Sequence, residues 1–131
     1  MCVFCKIINK ELSAKVIAEN ELALAILDIY PVNPGHNLVI PKKHYANLEE
    51  IEIEDLKKVI ELVKIVGFNI KNKLNIEGYN VILNNDKVAG QEIAHLHFHI
   101  VPRFKNDNLK NWPQKKYKEN EMENIFNKLK E

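Results

Sequence analysis

Cysteine, glycine and tryptophan are scarce in this chain, charge of one sign is not in excess, and a long apolar run is missing. Two cysteines in 131 residues exclude a disulfide-built scaffold. No stretch nears the roughly 20 apolar residues of a membrane-spanning helix, so no membrane partner is expected. The amino-terminal MCVFCKIINK lacks the basic start and apolar core of a signal peptide, which makes the cytoplasm the expected location. A net charge of +1 points to neither nucleic acid nor an anionic membrane as a partner. There is no internal repeat, no low-complexity tract and no linker among the four glycines. With 46% hydrophobic and 28% charged residues, the chain reads as one folded domain over 1–131, of which 104–131 is a carboxy-terminal tail. Charge is uneven within it: Arg103, Lys105, Lys110, Lys115, Lys116 and Lys118 face a single acid, Asp107, over residues 103–118. That stretch is either a solvated surface or a rim that attracts an anionic small molecule.

What is present alternates between two periodicities. KVIAE (15–19) and LALAILD (22–28) read as two tightly joined strands. PVNPG (31–35) forces a turn, and HNLVIP (36–41) reads as a third strand. From Ile53, the apolar residues Leu56, Val59, Ile60, Val63, Val66, Ile70 and Leu74 recur at helical steps, with acids before them and Lys71 and Lys73 at the end. YNVILNN (79–85) and HLHFHIV (95–101, stopped by Pro102) read as strands that pair antiparallel across the polar loop DKVAGQE (86–92). FCKIINKEL at the start and residues 119–130 at the end read as short helices. The expected class is α+β: an antiparallel sheet of about five strands, one long helix and short terminal helices.

Three of the five histidines fall in AHLHFHIVPR, at every second position. On a strand, His95, His97 and His99 project from one face about 7 Å apart, while Leu96, Phe98 and Ile100 face the core. Three accounts compete: surface histidines, a catalytic metal held by several rings, or an imidazole nucleophile whose neighbours stabilise charge on a transferring group. Upstream, Gly90 lets backbone approach a ligand and Gln91 offers an amide donor, while Gly35 and His36 follow the forced turn. Cys2 and Cys5 have the spacing of a metal or redox pair. The redox account is poor, because such a motif opens a helix after a strand and no strand precedes residue 2.

PGHNLVIPKKH followed by GQEIAHLHFHIVPR resembles the histidine-triad (HIT) family, whose motif is His-x-His-x-His-x-x with hydrophobic x. Here the x positions are Leu96, Phe98, Ile100 and Val101. The likeness runs from FCKII to Pro102-Arg103, and Asn111-Trp112-Pro113 resembles the tail of the nucleoside-phosphoramidase branch. The resemblance implies a HIT-like fold, a homodimer, and hydrolysis at the α-phosphate of purine nucleoside phosphoramidates or related conjugates. A nucleotidyl-histidine intermediate would form, and a nucleoside monophosphate would be released. Related branches hydrolyse dinucleoside polyphosphates or transfer nucleotides, and a non-catalytic nucleotide-binding adaptor is the alternative from another class.

Carried over residue by residue, the resemblance makes His97 the nucleophile and gives His99 and His36 the nonbridging oxygens. Gln91 and Gly90 lie at the phosphate or leaving group, Asp28 at the ribose hydroxyls and Asn84 near sugar and phosphate. Phe4, Ile7, Ile26 and Ile29 would form an apolar base slot. Glu92 departs from the phosphoramidase branch, which often has serine there, and this leaves open how the leaving group is protonated. Several microbial members hold one structural zinc with four residues matching Cys2, Cys5, His44 and His95. No cofactor is expected in the chemistry itself.

Overall fold

A computed structural model describes residues 2–131. In chain order the elements are α1 (Val3–Ile8), β1 (Val16–Glu19), β2 (Ala23–Leu27), β3 (Asn37–Pro41), α2 (Ile53–Lys73), β4 (Gly78–Leu83), β5 (Phe98–Arg103) and α3 (Glu121–Leu129). The strands form one antiparallel sheet in the order β1-β2-β3-β5-β4, so β5 is inserted between β3 and its own hairpin partner.

Alternation along the strands gives the sheet two unlike faces. Ala23, Ala25, Val39, Phe98 and Ile100 turn to α2 and close a core with Val59, Leu62, Val63, Val66 and Ile70. Each valine, leucine, isoleucine or phenylalanine among them, fully buried, contributes about 1.5–3 kcal/mol. Leu96 joins this core as its alternation requires. The helical stripe read from the sequence is shifted by part of a turn: Leu62 and Gly67 are inside, whereas Ile60 and Leu74 are exposed flanks. The opposite face carries a smaller cluster of Phe4, Leu24, Ile26, Leu38 and Ile40 under α1. His99 lies opposite Leu38, on that face.

The last strand departs from expectation at both ends. Residues 95–97 lie outside the ladder, because Leu96 N–H is drawn to Tyr45 O (2.7 Å) and the His95 ring to Pro41 O (2.8 Å). Pro102 does not stop the strand but pairs with Tyr79. Its carbonyl accepts from the Asn33 side chain (2.9 Å), so the missing N–H points to the same side. There β3 has already left the ladder, which ends at Ile100.

Gly35 closes the 31–35 turn at φ +90°, and a Cβ there would sit 2.6 Å from Leu74 Cδ1 and 3.1 Å from Pro102 Cγ. Left-handed backbone costs a non-glycine residue roughly 1–2 kcal/mol before any clash is counted. Gly35→Ala should therefore lower the urea midpoint by at least that equivalent; an unchanged midpoint would show that the turn relaxes freely.

Candidate active site

His36, His97 and His99 converge where β3 and β5 lie side by side, on the face opposite α2. His97 is only 6% exposed, its ring 4.9 Å from that of His99 and 5.1 Å from Phe4, which meets it edge-on. The hydrogen bonds fix which nitrogen of each ring holds the proton. His97 Nδ1 lies 2.7 Å from the His95 carbonyl, which can only accept, so Nδ1 carries hydrogen and the Nε2 lone pair is free. His36 has the reverse arrangement. Val32 N–H donates to its Nδ1 (3.0 Å), so the proton is on Nε2, which donates to His99 Nδ1 (3.0 Å). His99 in turn must carry its own proton on Nε2. One ring offers a lone pair, and a directed pair of rings beside it ends in a donor.

Burial keeps these rings neutral. It holds His36, His97 and His95 below the ordinary imidazole value, against smaller opposing effects such as Asp28 on His36 and Glu92 on His97. His99 is pushed to about 4, first by burial and then by the neighbouring His97 and His36 rings. Asp28 stands at the mouth of β2: its Oδ1 accepts Tyr30 N–H (2.9 Å), and its Oδ2 is 3.6 Å from His36 Nε2.

Other residues singled out in the sequence divide into two groups. Phe4, Ile7 and Ile26 share one apolar cluster, whereas Ile29 stands outside it at 82% exposure. Gly90 ends a short 3-10 turn, Lys87–Ala89, at φ +95°, facing the Asn84 amide, and Glu92 is exposed. Gln91 is buried with its amide engaged: Nε2 donates to Ala46 O (2.6 Å) and Oε1 accepts Asp86 N–H (2.7 Å), tying the loop to the chain after β3. Arg103 is not part of a free cationic rim, because its guanidinium is taken by Asp107 (2.8 Å). Three contributors escaped sequence reasoning: Val32 through its N–H, the His95 carbonyl, and Asp107. Only Asp107 left a signal, as the single acid of a basic stretch.

Cys2, Cys5, His44 and His95 form a second cluster behind the first, a set that could hold a metal ion. His95 Nε2 donates to Pro41 O, which leaves Nδ1 unprotonated and 3.3 Å and 3.6 Å from the Cys2 and Cys5 sulfurs. His44 Nδ1 repeats these distances in reverse order. A tetrahedral ion bonded at about 2.0–2.3 Å sets nitrogen–sulfur separations of about 3.5 Å. The donor chemistry fits, and the Pro41 carbonyl is the outer partner a metal-binding imidazole needs. Burial, then the Cys2 thiol, raises the Cys5 pKa, opposite to what a redox cysteine needs. Asp28, His36 and His99 also lie close enough to share an ion. Their hydrogen bonding opposes it, since Val32 N–H occupies His36 Nδ1 and leaves the proton on the nitrogen that would bind metal.

The family profile described as the HIT domain matches residues 9–106, three quarters of the chain. The chain belongs to the HIT family. Among HIT proteins it is 41% identical to the adenosine 5'-monophosphoramidase of Schizosaccharomyces pombe, over 78% of this chain and 74% of that one. A HIT family protein of Bacillus subtilis superposes with a TM-score of 0.88 at 35% identity, covering 98% of this chain and 94% of the other. A zinc-bound histidine triad family protein of Mycobacterium smegmatis superposes with a TM-score of 0.79 at 36% identity, covering 83% and 79%.

The burial of His99 has a consequence for stability. The unfolded chain takes up protons near the ordinary 6.5 and the folded ring only near 4, so stability is full above 6.5 and is lost as pH falls toward 4. Urea midpoints measured across that window should decline with acidity, and His99→Gln should flatten the decline. An equal slope in the variant would remove His99 from the account.

Proposed function

We propose that this protein is a nucleotide hydrolase acting at the α-phosphate of purine nucleoside phosphoramidates or related conjugates, with His97 as nucleophile. The observation that carries the reading is the His95 carbonyl on His97 Nδ1, which leaves Nε2 as a lone pair beside a ring that ends in a donor. The S. pombe relative, named as an adenosine 5'-monophosphoramidase, supports the substrate class.

In the first step the His97 Nε2 lone pair forms a bond to phosphorus while the bond from phosphorus to the leaving amine breaks. The amine departs with the electron pair and takes up a proton from solvent. His97 is then an imidazolium-like phosphoramidate, and the charges of Asp28 and Glu92 favour its cationic form. His99 Nε2–H donates to a nonbridging oxygen, backed by His36. Water then attacks phosphorus and loses a proton to solvent, the bond to His97 breaks with its electron pair returning to Nε2, and a nucleoside monophosphate leaves with His97 neutral again. Asp28 Oδ2 is placed for ribose hydroxyls, and Phe4, Ile7 and Ile26 offer the base an apolar wall.

Cys2, Cys5, His44 and His95 are read as ligands of one structural zinc, which would pin α1 to the chain after β3 and take no part in the reaction. The zinc-bound M. smegmatis relative supports this assignment. The reading includes a homodimer. It is supported by the exposed Val81 on edge strand β4 and by the exposed stripe of Met122, Ile125, Phe126 and Leu129 on α3.

Rapid quenching without acid, using radiolabelled adenosine 5'-phosphoramidate, should trap one nucleotide per chain, and His97→Asn should abolish trapping while nucleotide binding persists. Trapping that survives the substitution would move the nucleophile elsewhere. Cys5→Ser should lower zinc content from one equivalent per chain by elemental analysis; equal zinc in both proteins would disprove the tetrad.

A further inference from the structure

Asp107, the only acid of residues 103–118, is where the hydrogen bonds of this region meet. Its Oδ2 accepts from Arg103 Nε (2.8 Å), Asn33 Nδ2 (3.1 Å) and Phe104 N–H (3.0 Å). Its Oδ1 accepts from Arg103 Nη2 (3.2 Å) and Leu109 N–H (3.0 Å). The side chain is 6% exposed. A carboxylate gripped by a two-pronged guanidinium and three further donors is a fixed point. Arg103 extends it to β4, donating from Nη1 to Asn80 Oδ1 (2.9 Å).

The turn after β2 has no comparable apolar anchor. Ile29, Tyr30 and Val32 all point into solvent. What ties the turn to the sheet is the Asn33 amide, which donates to both Asp107 and Pro102 O. Asn33 O accepts His36 N–H (3.0 Å), and the residue before it supplies the N–H that meets His36 Nδ1. The chain of contacts therefore runs from Arg103 through Asp107 and Asn33 to the Val32 peptide, and from there into the imidazole pair.

We infer that Asn33 and Asp107 are positioning residues for His36: they hold the Val32 N–H on Nδ1, keep the His36 proton on Nε2, and so aim the His36–His99 pair as a donor. Neither touches the reacting atoms. Where rate is concerned the inference rests on the nucleotidyl-transfer reading above; where the imidazole proton is concerned it does not.

Two measurements test it on the full chain. Long-range proton–nitrogen spectra should show His36 protonated on Nε2 and bare on Nδ1, and Asn33→Ala should convert this to a mixture of tautomers. With adenosine 5'-phosphoramidate the same variant should lose roughly 10- to 100-fold in kcat, while KM stays within about twofold. A merely structural tie would lower the melting temperature and leave kcat and the tautomer unchanged in the folded protein. Asn33→Asp, which sets a second carboxylate against Asp107, should do at least as much, and it serves as the reporter if Asn33→Ala does not fold. Wild-type His36 protonated on Nδ1, or a variant with both tautomer and kcat intact, overturns the inference. If the wild-type protein does not turn over the phosphoramidate, the substrate reading falls, and the tautomer comparison alone decides the role of Asn33 and Asp107.

Discussion

The hydrogen bond from His97 Nδ1 to the His95 carbonyl, 2.7 Å long, is the contact around which the rest is arranged. It requires the His95 peptide to turn its oxygen toward a side chain two residues ahead, away from a ladder partner. It acts together with the bonds from Leu96 N–H to Tyr45 O and from the His95 ring to Pro41 O, so the strand begins at Phe98 and residues 95–97 run beside the continuation of β3 outside the sheet. Alternation survives this departure, because the segment stays extended enough for Leu96 to reach the α2 core while the rings on either side reach the opposite face.

Main-chain groups decide what each imidazole can do. A carbonyl against one nitrogen forces hydrogen onto it and leaves the far nitrogen as a lone pair, as at His95 and His97. An N–H against one nitrogen does the opposite, as at His36. Two rings of the first kind are the proposed ligand and the proposed nucleophile. The one of the second kind feeds a donor chain. Distances alone would have allowed Asp28, His36 and His99 to share an ion; the proton positions separate the two clusters.

Much of this was legible in the sequence, for reasons that lie in side-chain pattern. The stripe along α2 and the alternation about His97 record themselves as residue types at fixed spacing, whereas the grouping of Cys2 and Cys5 with His44 and His95 came from the family resemblance. The misplacements share a cause. The early start assigned to β5 and the stop assigned to Pro102 each turned on where backbone partners lie. A peptide N–H such as that of Val32 leaves no mark in composition. Nor does a glutamine reveal beforehand whether its amide meets a ligand or, as Gln91 does, two peptide groups. The exposure of Ile29 likewise depends on a turn held by polar contacts, which hydropathy does not register.

Helix α1 has six residues, too few to persist unaided in water. Yet its Phe4 presses edge-on against both His95 and His97. The candidate site thus leans on a helix that the sheet must hold in place. A substitution that empties this contact, such as Phe4→Ala, would therefore remove the edge on which both rings rest.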